Sequence, residues 1–312
     1  MDILNKSSTA STARLLKDRN FVFLLAIVLA LAVGLDARWT EPMLMPALGI
    51  TMTLSTLDIT NQDIASMRRA PRPILVSLLL NYVVMGGVML LLARWLITDP
   101  QIWAGFVTLA AMPPAIAVVP FSYMLGGNMV FSLIGTTGLY LASLGITPVM
   151  MVLLLGADYV NPLRLLTVLT QLIVLPLVVS RLLLSKGLAK RIAGWRDTAV
   201  TWSYFIVIFT IIGVNRQAFF THHDILFEVV IIMLIVTFGL AHIVDLAARR
   251  MHIDRPTAIS WVVTATGKNA GLASAVAITF FGERAAFPAG VITLSGILLL
   301  LWLGFYYRKL AK

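Results

Sequence analysis

Apolar residues run along this chain in long blocks, and polar residues appear as short punctuation between them. Ten apolar blocks stand out, at 21–36, 43–57, 73–97, 102–124, 129–154, 162–184, 196–214, 223–247, 256–281 and 286–307. Most are long enough, at 1.5 Å of rise per residue, to cross the hydrocarbon core of a bilayer as a helix. Few show the polar face that a surface helix of a soluble domain needs. The pattern predicts a polytopic membrane protein of ten helices. The first block follows Lys17 and Arg19 and could be mistaken for a signal peptide, but nine further blocks mark it as the first span.

Composition agrees. Of 312 residues, 59% are hydrophobic and 12% charged, with a mean hydropathy of +0.93. Soluble domains carry roughly twice that share of charge. No long polar stretch predicts a second, aqueous domain. The absence of cysteine excludes thiol catalysis and thiolate metal sites. The formal charge of +10 would point to nucleic acid on a soluble protein. Here the basic residues sit at block ends, so lipid and not nucleic acid is the expected partner. They also segregate. Eighteen lie in the two tails and in alternate links, among them Arg68, Arg69, Arg191, Arg249 and Lys309, and five lie in the remaining links. The positive-inside rule then places both termini in the cytoplasm and the protein in a cell inner membrane.

The blocks fall into two groups of five, 21–154 and 155–307, flanked by cytoplasmic tails at 1–20 and 308–312. Five is odd, so two similar halves would be inverted relative to one another. The fourth block of each is interrupted. One contains Met112-Pro113-Pro114, followed by Pro120; the other contains Thr266-Gly267-Lys268-Asn269-Ala270-Gly271. Each interruption precedes a short polar turn, Gly126-Gly127-Asn128 or Gly282-Glu283-Arg284. Paired interruptions in corresponding spans are the best pointer in a sequence to a transporter's binding site. The start of a second half-helix offers free N–H groups to an anion, and the end of a first half-helix offers carbonyls to a cation.

Lys268 lies at one interruption, and an ionisable residue inside a span is a functional candidate by default. Other polar positions carry less. His242 and Asp245 are three apart and share a helix face. His222-His223 reads as a loop pair, and four histidines without cysteine make a poor metal set, so no metal or organic cofactor is expected. No serine, histidine and aspartate combine in a hydrolase pattern, and an enzyme is not expected.

Several segments resemble the bile acid:sodium symporter family, within the superfamily of bile acid, arsenite and riboflavin transporters. Ala47 to Leu54, followed by Asp63, is similar to the family's second span. Gly127-Asn128 with Ser132 and Thr136 resembles the start of its fifth. Asn269-Ala270-Gly271-Leu272-Ala273 resembles the Asn-Ser-Gly-Leu-Ala after its ninth-span break, and Pro288-Ala289-Gly290 the opening of its tenth. The likeness spans residues 43–307. It implies ten helices in two inverted five-helix repeats, with spans one, two, six and seven as a panel domain and the rest as a core domain. In that core, broken helices four and nine cross. It also implies alternating access and an organic-anion substrate, driven in typical members by two sodium ions.

The departures from that family concern the sodium sites. A Ser-Asn pair in span four is matched by Val118 and Val119. A glutamate and a glutamine in span nine are matched by Thr264 and Lys268, and a span-three glutamine by Asn81. Ser132 and Thr136 keep their hydroxyls. The sodium sites are therefore expected to be lost, and Lys268 is expected to stand in for the coupling cation. Transport would be proton-coupled through Lys268, or passive with the lysine a built-in charge. The expected substrate and ion site comprises Asn81, Pro113, Pro114, Ser132, Thr136, Thr264, Gly267, Lys268 and Asn269. The alternatives are an auxin-efflux-like carboxylate carrier and a sodium-coupled symporter. Arsenite efflux ranks lower, since the related permeases use a membrane cysteine, and a membrane enzyme or sensor lacks the expected clusters or output domain.

Overall fold

The computed structural model describes residues 15–16, 18–32, 37–58, 71–221 and 223–310. Asp63, Arg68, Arg69, His222 and the tail positions Lys6, Arg14, Lys17 and Lys312 lie outside them. Every element among the described residues is helical, and the one pairing of extended backbone is an isolated bridge. Six helices are long and apolar enough to cross a membrane: Pro71–Leu96, Met129–Leu155, Pro162–Ser185, Leu188–Val214, His223–Arg250 and Glu283–Lys309. The first, second, fourth and ninth apolar blocks are helical too, but in shorter pieces.

The chain folds as two compact units. One comprises Met1–Leu57 and Gln171–Gln217. It holds α1 (Arg19–Ala32), α2 (Glu41–Ser55) and, from the second segment, the helices Leu175–Ser185 and Leu188–Val214. Two arginines cap helix ends in this unit. The Arg216 Nε donates to the Leu31 carbonyl at 2.9 Å, and Arg181 to the Thr56 carbonyl at 2.5 Å. Terminal carbonyls lack helical partners and carry the negative end of the dipole, so a guanidinium suits them. Each arginine sits at the C-terminal end of its own segment. The helix Leu188–Val214 therefore runs parallel to α1, and Leu175–Ser185 runs parallel to α2.

The other unit comprises Asp58–Thr170 and Ala218–Lys312. Numbering on in chain order, α3 (Pro71–Leu78) passes through a π-helical segment, Leu79–Gly86, into α4 (Gly87–Leu96). The fourth block splits into α5 (Pro100–Ala111) and α6 (Val118–Met124), and α7 (Met129–Leu155) and α8 (Pro162–Leu169) follow. With α9 and α10 as the two helices given to the first unit, α11 is Arg216–Thr221. Next come α12 (His223–Leu234), a π-helical segment at Ile235–Gly239, the third after Leu79–Gly86 and Thr170–Val174, and α13 (Leu240–Arg250). The ninth block splits into α14 (Arg255–Thr266) and α15 (Ala270–Phe281). A 3₁₀ turn, Glu283–Ala286, leads into α16 (Phe287–Leu310).

The two broken helices are built alike. An aspartate caps each start: Asp99 accepts from the Gln101 and Ile102 amides, and Asp254 from the Thr257 amide. A proline, Pro100 or Pro256, follows where the helix needs no N–H. Each second piece is followed by a glycine of positive φ, Gly126 at 80° and Gly282 at 88°, which spares a side chain the left-handed penalty. The turn after each break docks on the opening half-helix of the other. The Asn128 amide donates to the Pro256 carbonyl at 2.9 Å, and Gln101 Nε2 donates to the Phe281 carbonyl at 3.1 Å. Ala104–Ala111 and Ala258–Thr266 are buried on all sides, so both first pieces lie in the unit's core.

His242 and Asp245 do not pair. His242 Nδ1 donates to the Phe238 carbonyl at 2.7 Å, and its Nε2 accepts from Trp302 at 3.4 Å. Asp245 is buried and accepts from Arg249 and, at 3.0 Å, from the Tyr306 hydroxyl. Each residue finds one partner within its own span, Phe238 or Arg249, and one on α16, Trp302 or Tyr306. Asp245→Asn keeps the shape and removes the charge. Arg249 is half exposed, so solvent offsets part of the loss, and the variant should be about 1–2 kcal/mol less stable. Thermal unfolding in detergent beside Arg249→Met, which should lose no more, checks this.

Candidate functional site

The two interruptions meet in the second unit. Between α5 and α6, Met112 is extended, the conformation a following proline enforces, and Pro113 and Pro114 bring no N–H that would need a partner. Between α14 and α15, Gly267 brings its backbone against Val118 and the Val263 carbonyl. A Cβ there would lie 2.7 Å from that oxygen. The gaps pair as a two-stranded bridge centred on Pro114 and Lys268. The Ala115 amide donates to the Gly267 carbonyl at 2.9 Å, and the Asn269 amide to the Pro113 carbonyl at 3.1 Å. Backbone groups freed by one break are thus satisfied by the other, which irregular backbone at membrane depth requires.

Lys268 reaches from this bridge to the end of α5. Its ammonium donates three hydrogen bonds, to Asn81 Oδ1 at 2.8 Å, to the Ala110 carbonyl at 2.7 Å and to the Met112 carbonyl at 2.8 Å. The residue is 6% exposed. Two of its acceptors are carbonyls at the C-terminal end of a half-helix, where the peptide dipoles present negative charge. The third comes from the π-helical segment that carries Asn81 and Tyr82. The Tyr82 ring lies 4.8 Å from Nζ, close enough for a cation–π contact. An ammonium has three donors, and all three are in use.

The other sequence-predicted residues divide. Asn81, Pro113, Pro114, Gly267 and Lys268 come together at the bridge. Asn269 is adjacent, but its side chain is occupied: Oδ1 caps α15 at the Leu272 amide, 2.9 Å away, and Nδ2 donates to the Tyr140 hydroxyl at 2.8 Å. Thr264, Ser132 and Thr136 are buried, and none reaches the ammonium. Val118 is buried against Gly267. Sequence reasoning missed Tyr82, Tyr140 and Ser77. The Asn269 cap had a signal, since asparagine at the head of a half-helix is a preferred N-cap.

Long apolar helices, and two broken helices joined across a buried cation, define a multi-pass membrane protein with its polar machinery in one unit. The model of the SBF-like CPA transporter family (DUF4137) matches residues 19–301, and the chain belongs to that bile acid:sodium symporter-like family of membrane transporters. It is also similar to the uncharacterized sodium-dependent transporter YocS of Bacillus subtilis (strain 168), with 23% identity over 280 residues, covering 88% of this chain and 85% of that one.

Proposed function

We propose that the protein is a sodium-independent secondary carrier of a small organic anion, in which the Lys268 ammonium replaces the coupling cation. The observation that carries this reading is the oxygen cage at the end of α5. Three oxygens surround Nζ as they would surround a bound cation. None of them is a carboxylate, and residues 256–281 contain no acid. Three fixed oxygens occupy all three N–H donors, so the geometry fits a built-in cation better than a proton shuttle, and transport is uncoupled or exchange-type. The remaining positive charge attracts an anion into the unit.

The ten spans belong in this reading to two inverted five-helix repeats, 21–154 and 155–307, and the carrier works by alternating access. The matched aspartate caps, the paired left-handed glycines and the π-helical segments of the third and eighth spans support that symmetry. The 18-to-5 division of basic residues supports cytoplasmic termini in an inner membrane.

Sodium coupling is the second reading, favoured by the name of the Bacillus relative. Solid-supported-membrane currents decide between them. Proteoliposomes are stepped through a panel of small carboxylates and sulfonates in sodium or choline buffer of equal ionic strength. Equal currents in the two buffers are expected. Currents that appear only with sodium overturn sodium independence.

A further inference from the structure

Five buried polar groups in the unit that holds the ammonium have no hydrogen-bond partner: the amide nitrogen of Asn81, which touches Lys268, and the hydroxyls of Ser77, Ser132, Thr136 and Thr264. All five residues are no more than 2% exposed. Other helical hydroxyls divide: those of Thr51, Thr137 and Ser274 are buried and unpartnered as well, whereas five threonines are satisfied locally. Thr108, Thr237, Thr266, Thr279 and Thr293 each donate to the carbonyl four residues back, at 2.6–2.8 Å. That bond is open to any helical threonine. Thr136 and Thr264 are as helical and as buried, yet their hydroxyls turn away from it.

The five groups are carried by three mutually packed elements: α3 with its π-helical extension, α7 and α14. Lys268 Nζ touches Asn81, and Thr264 lies in the last turn of α14, just before the break that carries Lys268. Ser77 lies one turn before Asn81. Its side chain packs on the bare face of Gly135 in α7, where a Cβ would lie 3.1 Å from the Ser77 Cβ. Ser132 lies one turn before Gly135 on α7, and Thr136 one turn after Ser132.

We propose that these groups form a binding site for a small monovalent anion, a halide or a carboxylate, held as the counter-ion of Lys268. The inference rests on the reading of Lys268 as a built-in cation. The ammonium is hydrogen-bonded, but among the described residues no carboxylate bonds it. Asp99 is the only acid in residues 73–154, and it pairs with Arg284 at 2.7 Å. A buried unit charge without a counter-charge is expensive at membrane depth. Asn81 links the two charges. Its oxygen accepts from the ammonium, which polarises the amide and strengthens its unused N–H groups as donors. The four hydroxyls can each rotate to donate as well. A second cation would meet only neutral dipoles beside a fixed positive charge.

The test uses the full-length protein in detergent and follows its thermal midpoint. N-methylglucamine chloride or acetate replaces the sulfate salt at constant ionic strength. A saturable rise of about several degrees is expected, because a ligand of the folded state stabilises it by mass action. The double variant Thr136→Val, Thr264→Val should bind about tenfold more weakly, and Thr136→Ser, Thr264→Ser should bind as the wild type does. Saturation by chloride supports a resident inorganic ion, and saturation by acetate alone supports the carboxylate of the cargo. A midpoint indifferent to every anion, or a rise equal in the valine variant, overturns the site and leaves the carrier reading standing if uptake stays sodium-independent. Stabilisation by sodium alone overturns both.

Discussion

Lys268→Gln is expected to abolish anion transport, by about a hundredfold or more, without creating sodium dependence. A hundredfold loss corresponds to about 2.7 kcal/mol of barrier, modest for removing the one full charge from a site built around it. The glutamine amide can donate to two of the three oxygens that Lys268 now holds, so one carbonyl is orphaned at a cost of about 1–3 kcal/mol. Against that, an uncompensated buried cation disappears, and exchanging a buried charge for a neutral group is often neutral or stabilising. The two terms nearly cancel, and the thermal midpoint should stay close to that of the wild type. No carboxylate arrives with the substitution, so sodium should neither stabilise the variant nor drive it. Uptake and unfolding measured side by side check this. Transport lost with stability kept assigns the lysine to function. Wild-type rates with unchanged pH dependence would leave it as a pin between the two breaks.

Much of this site could be read from the chain because its backbone punctuation is local. Met112-Pro113-Pro114 and Gly267-Lys268-Asn269 announce breaks wherever they occur in an apolar block, since proline removes donors and glycine relaxes φ. A lone lysine in such a break is conspicuous against a membrane background. What surrounds it was hidden for a physical reason. The ammonium's partners include the Ala110 and Met112 carbonyls, and backbone oxygens have no sequence signature. Ser77 and Tyr82 lie in an apolar block whose lipid-facing and core-facing sides are equally hydrophobic, so periodicity cannot tell which residues point inward. The π-helical segment that presents Asn81 follows from packing and not from local propensity. Asp245 shows the same limit: its place on the helix and its i,i+4 partner Arg249 are local, whereas Tyr306 becomes a partner only once α16 has packed.

Gly105→Leu is expected to prevent the second unit from folding, and Gly105→Ala to cost about 1–3 kcal/mol or more. Gly105 lies on α5, buried, where that helix crosses the turn following α15. A Cβ there would run into the Ala285 carbonyl oxygen and lie 3.0 Å from its carbon and 3.1 Å from Pro288 Cδ. The obstacle is backbone and a proline ring, neither of which can turn aside as a flexible side chain would. Relief would have to come from moving α5 itself. The end of α5 holds Ala110 and Met112 on the ammonium, so the displacement would reach the site as well. In the other half, the residue six past the capping aspartate is Ser260, and it meets Gly127 in the corresponding turn, with 3.0 Å between the Ser260 hydroxyl and a Cβ built on that glycine. In both broken helices the residue six past the capping aspartate thus packs on the turn that follows the other, through different atoms in each. Gly145 supplies the control. It lies in α7 with nothing within 4 Å of a built Cβ, and Gly145→Ala should be neutral or stabilising by about 0.5–1 kcal/mol through backbone propensity. Yield of folded protein and thermal midpoints for the three variants test the contrast. A Gly105→Leu protein that purifies and unfolds like Gly145→Ala would mean that α5 does not sit against that turn.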